Sequence, residues 1–172
     1  MSLDKLAIKI AKRDEKAFGE LYERMRRLVY SVCLGVVKDF ALAEELTQDT
    51  FVTAWTRSEE FRGCGYKKWL LTVAKNKSIN ELKKRRRETL TDFLENEEFF
   101  GADGEDERME THVILTAALG VLDETDRQIV LLRNAGMKAK EIAEFLEMPR
   151  GTVSWRYAEG IRKLREWMEE RE

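Results

Sequence analysis

The sequence predicts an all-α protein of two small helical bundles joined by an acidic linker. Three observations carry that expectation. A single proline and ten glycines in 172 residues leave little material for a turn-rich sheet fold. Apolar residues recur at spacings of three and four, and no segment alternates as a half-buried strand does. The charge divides along the chain although the total is only -2: residues 1–88 carry net +7, residues 89–110 net -8 and residues 111–172 net -1. Sign segregation of this size points to polyanion contact in the first block.

The apolar fraction of 43% is enough for a core, and the length suits one domain or two small ones. One histidine, His112, and two cysteines, Cys33 and Cys64, leave no basis for a zinc finger, a disulfide framework or a histidine metal cage. No metal or cofactor is expected. No apolar run approaches ~18 residues, and no charged-then-apolar leader opens the chain. A soluble protein of a reducing compartment, without membrane insertion, is the expectation.

The elements follow in order. Asp14 is placed to cap a helix running to about Val37, with Phe18, Leu21, Tyr22, Met25, Leu28, Val29, Val32, Cys33 and Val36 on its inner stripe. Cys33 on that stripe reads as an inert core thiol. A second helix begins near Asp39 and ends about Thr56. Residues 61–66, FRGCGY, form a loop, and a third helix covers about Lys67 to Arg87 with Leu70, Val73 and Ala74 inward. Residues 89–110 read as linker, although Phe93, Leu94, Phe99 and Phe100 suggest that it docks on something. Thr111 to Val121 is helical. Asp123 caps the next helix, which ends at Gly136. Ala139–Leu146, a turn holding Met148, Pro149, Arg150 and Gly151, and a helix from about Thr152 to Glu169 complete the chain.

Three motifs carry function. In the C-terminal block, Ile142, Ala143 and Leu146 face inward, Ala143 is small where two helices cross, Thr152 is placed to cap and Val153 packs back. This is helix-turn-helix spacing, whose second helix enters a major groove. Arg150, Arg156, Arg162 and Lys163 are within reach of phosphates. An ordinary αα-hairpin is the plainer alternative. The second motif, residues 61–87, joins a glycine-bordered loop, Tyr66 and Trp69 to ten Lys/Arg. Basic side chains track phosphates, aromatics stack on unpaired bases, and such a loop supplies a pocket for an extruded base. Trp69 taken alone reads as core; the whole constellation reads as nucleic-acid binding. The third motif, residues 43–55, places Glu45, Gln48, Asp49, Val52 and Thr56 on one helical face, with Leu46, Phe51 and Trp55 available for the core. A solvated face gives the same pattern, but an acidic face with an exposed valine suits a basic protein partner.

Together these motifs resemble the bacterial extracytoplasmic-function (ECF) RNA polymerase sigma factors over nearly the whole chain. DEKAFGELYERMRRLVYSVC opens the first domain as in that family. AEELTQDTFVTAW is similar to the helix that docks on the polymerase clamp, FRGCGYKKWLLTVAKNKSINELKKRRR to the segment that melts and reads the minus-ten element, and residues 122–168 to the domain that reads the minus-thirty-five element. The resemblance implies a cytoplasmic, non-enzymatic promoter-specificity subunit. It divides the chain into a region 2-like domain (1–88), an acidic linker (89–110) and a region 4-like domain (111–172), with no autoinhibitory leader or middle domain. It implies core RNA polymerase and promoter DNA as partners, and sequestration by an anti-sigma factor, often membrane-linked. Polymerase binding falls to Glu45, Gln48, Asp49 and Val52. Minus-ten contacts fall to Arg62, Gly63, Cys64, Gly65, Tyr66, Trp69, Lys75, Asn76, Asn80, Lys83, Lys84 and Arg85. Upstream contacts fall to Lys140, Arg150, Thr152, Ser154, Trp155, Arg156 and Glu159. The linker is implied to thread a positively charged polymerase channel, which its own charge fits.

One departure stands out. Where the family commonly reads GTVKSRLHRA, this chain reads GTVSWRYAEG. Ser154 replaces a basic residue, Trp155 a serine and Glu159 an arginine, while Arg156 is kept. Either upstream affinity is weaker or the sequence read is unusual; Glu159 is able to accept from a cytosine amino group or to face solvent. A stand-alone helix-turn-helix regulator with a helical sensor domain would explain residues 140–164, but not the basic aromatic segment or the clamp-like helix. An enzyme finds no nucleophile motif, phosphate loop or Glu-x-x-His pairs.

Overall fold

The computed structural model describes residues 1–95 and 107–172, with side chains over 1–90 and 110–172. The described residues form helices throughout and no strand. The helices are α1 (Leu3–Ala11), α2 (Glu15–Val37), α3 (Phe40–Thr56), α4 (Tyr66–Glu95), α5 (Glu107–Gly120), α6 (Glu124–Asn134), α7 (Ala139–Leu146) and α8 (Arg150–Glu169), with a 3-10 turn at Ser58–Glu60 between α3 and α4.

Aspartates start three of them. Asp14 Oδ1 accepts from Ala17 N at 3.0 Å, Asp39 Oδ1 from Leu42 N at 2.9 Å and Asp123 Oδ1 from Asp126 N at 2.8 Å. Each satisfies one orphan donor of a first turn. Gly136, at φ +95, supplies the left-handed residue after α6.

Four sequence expectations are revised. The helix α1 was not expected, though Leu3, Leu6, Ala7 and Ile10 carry a short 3–4 stripe and the last three are buried. The third helix does not stop at Arg87: α4 continues to Glu95 and α5 begins at Glu107, both inside the stretch read as linker. Glu and Leu, strong helix formers, supply four of residues 88–95 and no proline or glycine interrupts them, so propensity lets the helix run on. The linker's acidic run and its apolar residues Phe93, Leu94, Phe99 and Phe100 lie outside the described side chains. Finally, Thr152 is not a cap. The helix α8 starts earlier, with Pro149 (φ −61) before it and Arg150 as its first residue. Proline's fixed φ suits a helix entry and it has no N–H to satisfy.

The helix α2 organises the molecule. It packs against α1, α3 and α4, and also against α6. Its first turns bury one stripe, but Ser31 to Val37 is buried on every side. A helix enclosed all round has neighbours all round. Cys33 lies in this stretch, fully buried, and burial pushes its thiol pKa up. Among the described residues an apolar cluster therefore continues from the N-terminal helices into α6, α7 and α8.

The helices α2 and α6 come close at Gly35, where an added Cβ would stand 2.9 Å from Gln128 Cγ and 3.5 Å from Gln128 Cα. Arg127 crosses the same contact. Its Nε donates to Gly35 O at 2.7 Å, and its Nη1 to Leu119 O at 3.4 Å and Leu122 O at 3.2 Å. Around this centre, Lys67 pairs with Glu141 at 2.7 Å and Arg27 Nη2 donates to Asn134 O at 3.2 Å. Phe40 stacks on His112 with centroids 4.3 Å apart.

Candidate nucleic-acid and protein interfaces

The first surface is the outer face of α3. Its inner residues Leu46, Thr47, Thr50, Phe51 and Ala54 are buried. The threonines are accommodated because Thr47 Oγ1 donates to Ala43 O at 2.6 Å and Thr50 Oγ1 to Leu46 O at 2.7 Å. The helical period then presents Glu45, Gln48, Asp49 and Val52 outward, all exposed, with Val52 at 56%. Asp49 is tied to α4 by an ion pair with Lys77 at 2.9 Å. Beside this face runs a groove of about 610 Å³, lined by Phe18, Tyr22, Gln48, Phe51, Val52 and Trp55 among others. Its aromatic floor is interlocked edge-on, with Tyr22 to Phe51 at 4.9 Å and Phe18 to Trp55 at 5.2 Å. The result is an acidic-polar rim with an apolar floor.

The second surface is the glycine loop and the exposed side of α4. Gly63 (φ +121) and Gly65 (φ +86) occupy conformations that side-chain-bearing residues rarely adopt. Asp4 on α1 anchors the loop: its Oδ1 accepts from Tyr66 N at 2.8 Å and its Oδ2 from Gly65 N at 3.4 Å. That carboxylate caps α4 from a distant helix, so no local signal in the sequence reveals it. A pocket of about 410 Å³ opens here, lined by Phe61, Arg62, Cys64, Gly65, Lys68, Trp69 and Thr72 with Glu60.

Tyr66 is not in that wall. Its ring is 1% exposed and packs edge-on to Phe61 at 4.8 Å, so it cannot offer a stacking face to a base. Trp69, half-buried, and Phe61 are the aromatic residues of the pocket. Helix geometry decides this exchange, because Tyr66 is the first residue of α4 and turns toward Leu70 and the core.

Farther along α4, Asn76 and Asn80 are exposed one turn apart, and Lys83, Lys84 and Arg85 continue the exposed basic end. Arg85 also pairs with Glu81 at 3.4 Å. Lys75 points elsewhere: its ammonium lies 5.7 Å from the ring centre of Phe145 on α7. Phe61, Lys68 and Thr72 join the site although the sequence reading passed them over. Phe61 belonged to the quoted loop, whereas Lys68 and Thr72 needed the helix phase.

The third surface is the pair α7 and α8. Ile142, Ala143 and Phe145 are buried against Val153, and Met148 N donates to Ala143 O at 3.0 Å to close the turn. Glu147 takes the left-handed position (φ 56) that ends α7. Lys140, Arg150, Ser154 and Trp155 are exposed and Thr152 is half-buried. Arg156 is turned inward. Its Nη1 meets Asp126 Oδ1 at 2.8 Å and Asp123 Oδ2 at 3.4 Å, and Lys163 reaches the same Asp126 at 3.4 Å. The Asp123 carboxyl is held below the usual range, first by the Asp126 backbone N–H and then, despite some burial, by Arg156 and Lys163. Glu159 accepts from Arg162 Nε at 3.1 Å, and Arg162 also pairs with Glu166. Arg156 thus pins α8 to α6.

These elements match known families in the same order. Residues 21–88 match sigma-70 region 2 and residues 118–166 match sigma-70 region 4. The chain is 27% identical over 176 residues to the ECF RNA polymerase sigma factor SigK of Mycobacterium sp. (strain JLS), covering 95% of this chain and 89% of the relative. It is 26% identical over 177 residues to SigK of Mycobacterium tuberculosis (strain ATCC 25618 / H37Rv), covering 95% and 91%. Its fold is similar to that of CnrH, solved with the cytosolic domain of CnrY, at TM-score 0.69 and 21% identity over 95% of each chain. It is similar also to RpoE, solved with the anti-sigma factor NepR from Bartonella quintana, at TM-score 0.65 and 22% identity over 90% and 98%. With both sigma-70 regions in order and relatives aligned over 95% of this chain, the chain belongs to the extracytoplasmic-function RNA polymerase sigma factors.

Proposed function

We propose that this sigma factor engages core RNA polymerase through the outer face of α3, reads and opens the minus-ten element with the glycine loop and α4, and reads the upstream element with α8. The division into residues 1–88, 89–110 and 111–172 follows from that assignment. The protein contributes binding rather than catalysis, and acts in the cytoplasm where core polymerase is. The observation that carries the reading is the face of Glu45, Gln48, Asp49 and Val52. Four exposed side chains of acidic, amide and apolar type stand over a buried helical face and beside an apolar groove. Such a face repels DNA and suits a basic protein surface with an apolar anchor. On α4 the strip from Asn76 through Asn80 to Lys83 has the amides and ammonium groups that a separated strand needs.

An anti-sigma factor is a further partner by the same reasoning, since the surfaces that serve polymerase and promoter are those whose occlusion silences the protein. No described helix is long and apolar enough to cross a membrane.

The test is run-off transcription by core polymerase on a promoter library with and without the protein. Start-site-specific transcripts are expected only when the protein is present. Binding to duplex DNA without polymerase, and no promoter-specific transcript with it, would instead identify a stand-alone regulator.

A further inference from the structure

The recognition helix α8 presents an unusual surface. Along its first three turns most of the charge is already engaged within the chain. Arg156 is committed to Asp123 and the buried Asp126, while Glu159 and Arg162 pair with each other. Glu159 and Arg162 together carry no net charge toward a groove. Arg150, exposed at the first position, makes no ion pair among the described residues. The largest side chain left facing out is Trp155, 65% exposed. Gly151 one turn before it and Ala158 one turn after it share its face, and both are exposed and small. A Cβ placed on Gly151 would meet nothing within 4 Å. Trp155 is therefore the leading edge of this face: Gly151 and Ala158 beside it are small, and its other neighbours, Thr152 and Glu159, are half-buried.

An exposed indole at the tip of a groove-entering helix needs an apolar counterpart. The major groove offers one: the C5-methyl group of thymine, absent from the other three bases. We infer that Trp155 is a specificity-determining residue that reads a thymine methyl group in the upstream promoter element, in place of the charged hydrogen-bond readout that Arg156 and Glu159 would otherwise supply. The inference rests on the reading of α7 and α8 as the upstream-element module. Arg150, near Trp155 at the start of α8, supplies a phosphate contact that fixes the register of the indole.

The experiment uses holoenzyme assembled from the full chain and core polymerase. A preferred promoter is first selected from a random duplex library. Each upstream thymine, on either strand, is then replaced by 2′-deoxyuridine, which keeps every hydrogen-bonding group and removes only the methyl. One thymine, or two adjacent ones, should lose about four-fold in affinity, the worth of one buried methyl group. In Trp155→Ala holoenzyme the thymine and uridine duplexes should bind alike at that position, and Trp155→Phe should retain part of the difference. Both variants should melt as the parent does, because the residue is exposed.

A flat uridine scan with upstream selection intact overturns the inference and leaves α8 as the reader. A selected upstream element with no thymine on either strand does the same. Weakened binding of Trp155→Ala to core polymerase without DNA would assign the indole to a protein contact, and overturns it too. Loss of all upstream selection by the parent holoenzyme would overturn the underlying module reading as well.

Discussion

The Tyr66 hydroxyl is buried and has no hydrogen-bond partner among the described residues. Burial pushes its pKa up to about 12, from an ordinary value of 10.0. The folded state disfavours the phenolate, so stability is complete below pH 10 and is lost as pH rises toward 12. Tyr66→Phe removes an unsatisfied buried group, whose burial costs about 1–3 kcal/mol. The variant should melt at or above the parent's temperature at pH 7, and its alkaline loss of stability should be shallower. A thermal melt series from pH 7 to about 11 checks both, and a clear drop in melting temperature at pH 7 would show that the hydroxyl has a partner. The same substitution should leave base discrimination at the minus-ten element intact, since Phe61 and Trp69, not Tyr66, line the pocket.

At the scale of the element, α3 separates stability from binding. Its inner face holds the core and its outer face touches little except through Asp49 and Lys77, 2.9 Å apart. That pair is largely exposed on the aspartate side, and such pairs contribute ~0–1 kcal/mol. The double variant Gln48→Lys, Asp49→Lys should therefore melt within a few degrees of the parent and keep its helicity. It should nevertheless lose binding to core polymerase in a pull-down, because it reverses the sign of a face whose proposed partner is basic. Undiminished capture of polymerase would remove α3 from the interface. α8 shows the converse economy: Arg156, which the sequence offers as a phosphate contact, is committed to Asp126, and the adjacent Trp155 is left outward.

At the scale of the whole molecule, the N-terminal and C-terminal helices meet at α2 and α6. Gly35 permits the approach, and Arg127 satisfies carbonyls on both sides of it. Burial lowers the Arg127 pKa, and the nearby carboxylates of Glu124 and Asp123 oppose that shift. Gly35→Val adds methyl groups where the first carbon would already be 2.9 Å from Gln128 Cγ. Overpacking of this kind costs about 1–3 kcal/mol, and here it acts on the contact between the two helical groups. Helicity by circular dichroism should be retained, while the radius of gyration by solution scattering should rise. An unchanged radius would show that α2 and α6 do not hold the groups together. Gly35→Ala should have a milder effect, since alanine's helix propensity offsets part of the clash.

What the sequence determined by itself is what local chemistry encodes. The aspartate caps at Asp14 and Asp123, the helix start near Asp39, the inner stripe of α2, the outward set on α3 and the left-handed Gly136 all follow from neighbours within a few residues, and the structure holds them as read. The extent of α4 was legible too in its helix-forming composition, but acidic charge and two later glycines suggested a linker instead. Tertiary structure alone decided the rest, because the partners are far apart along the chain. Asp4 caps α4 across 62 residues, Arg127 donates to Gly35 across 92, and Arg156 finds Asp126 across 30. Tyr66 and Trp69 are both aromatic residues beside a glycine loop, and only the packing of α4 on α1 and α2 selects which is buried and which faces the pocket. Periodicity fixes which residues share a face; which face is covered depends on what else folds against it, and that is a property of the assembled core.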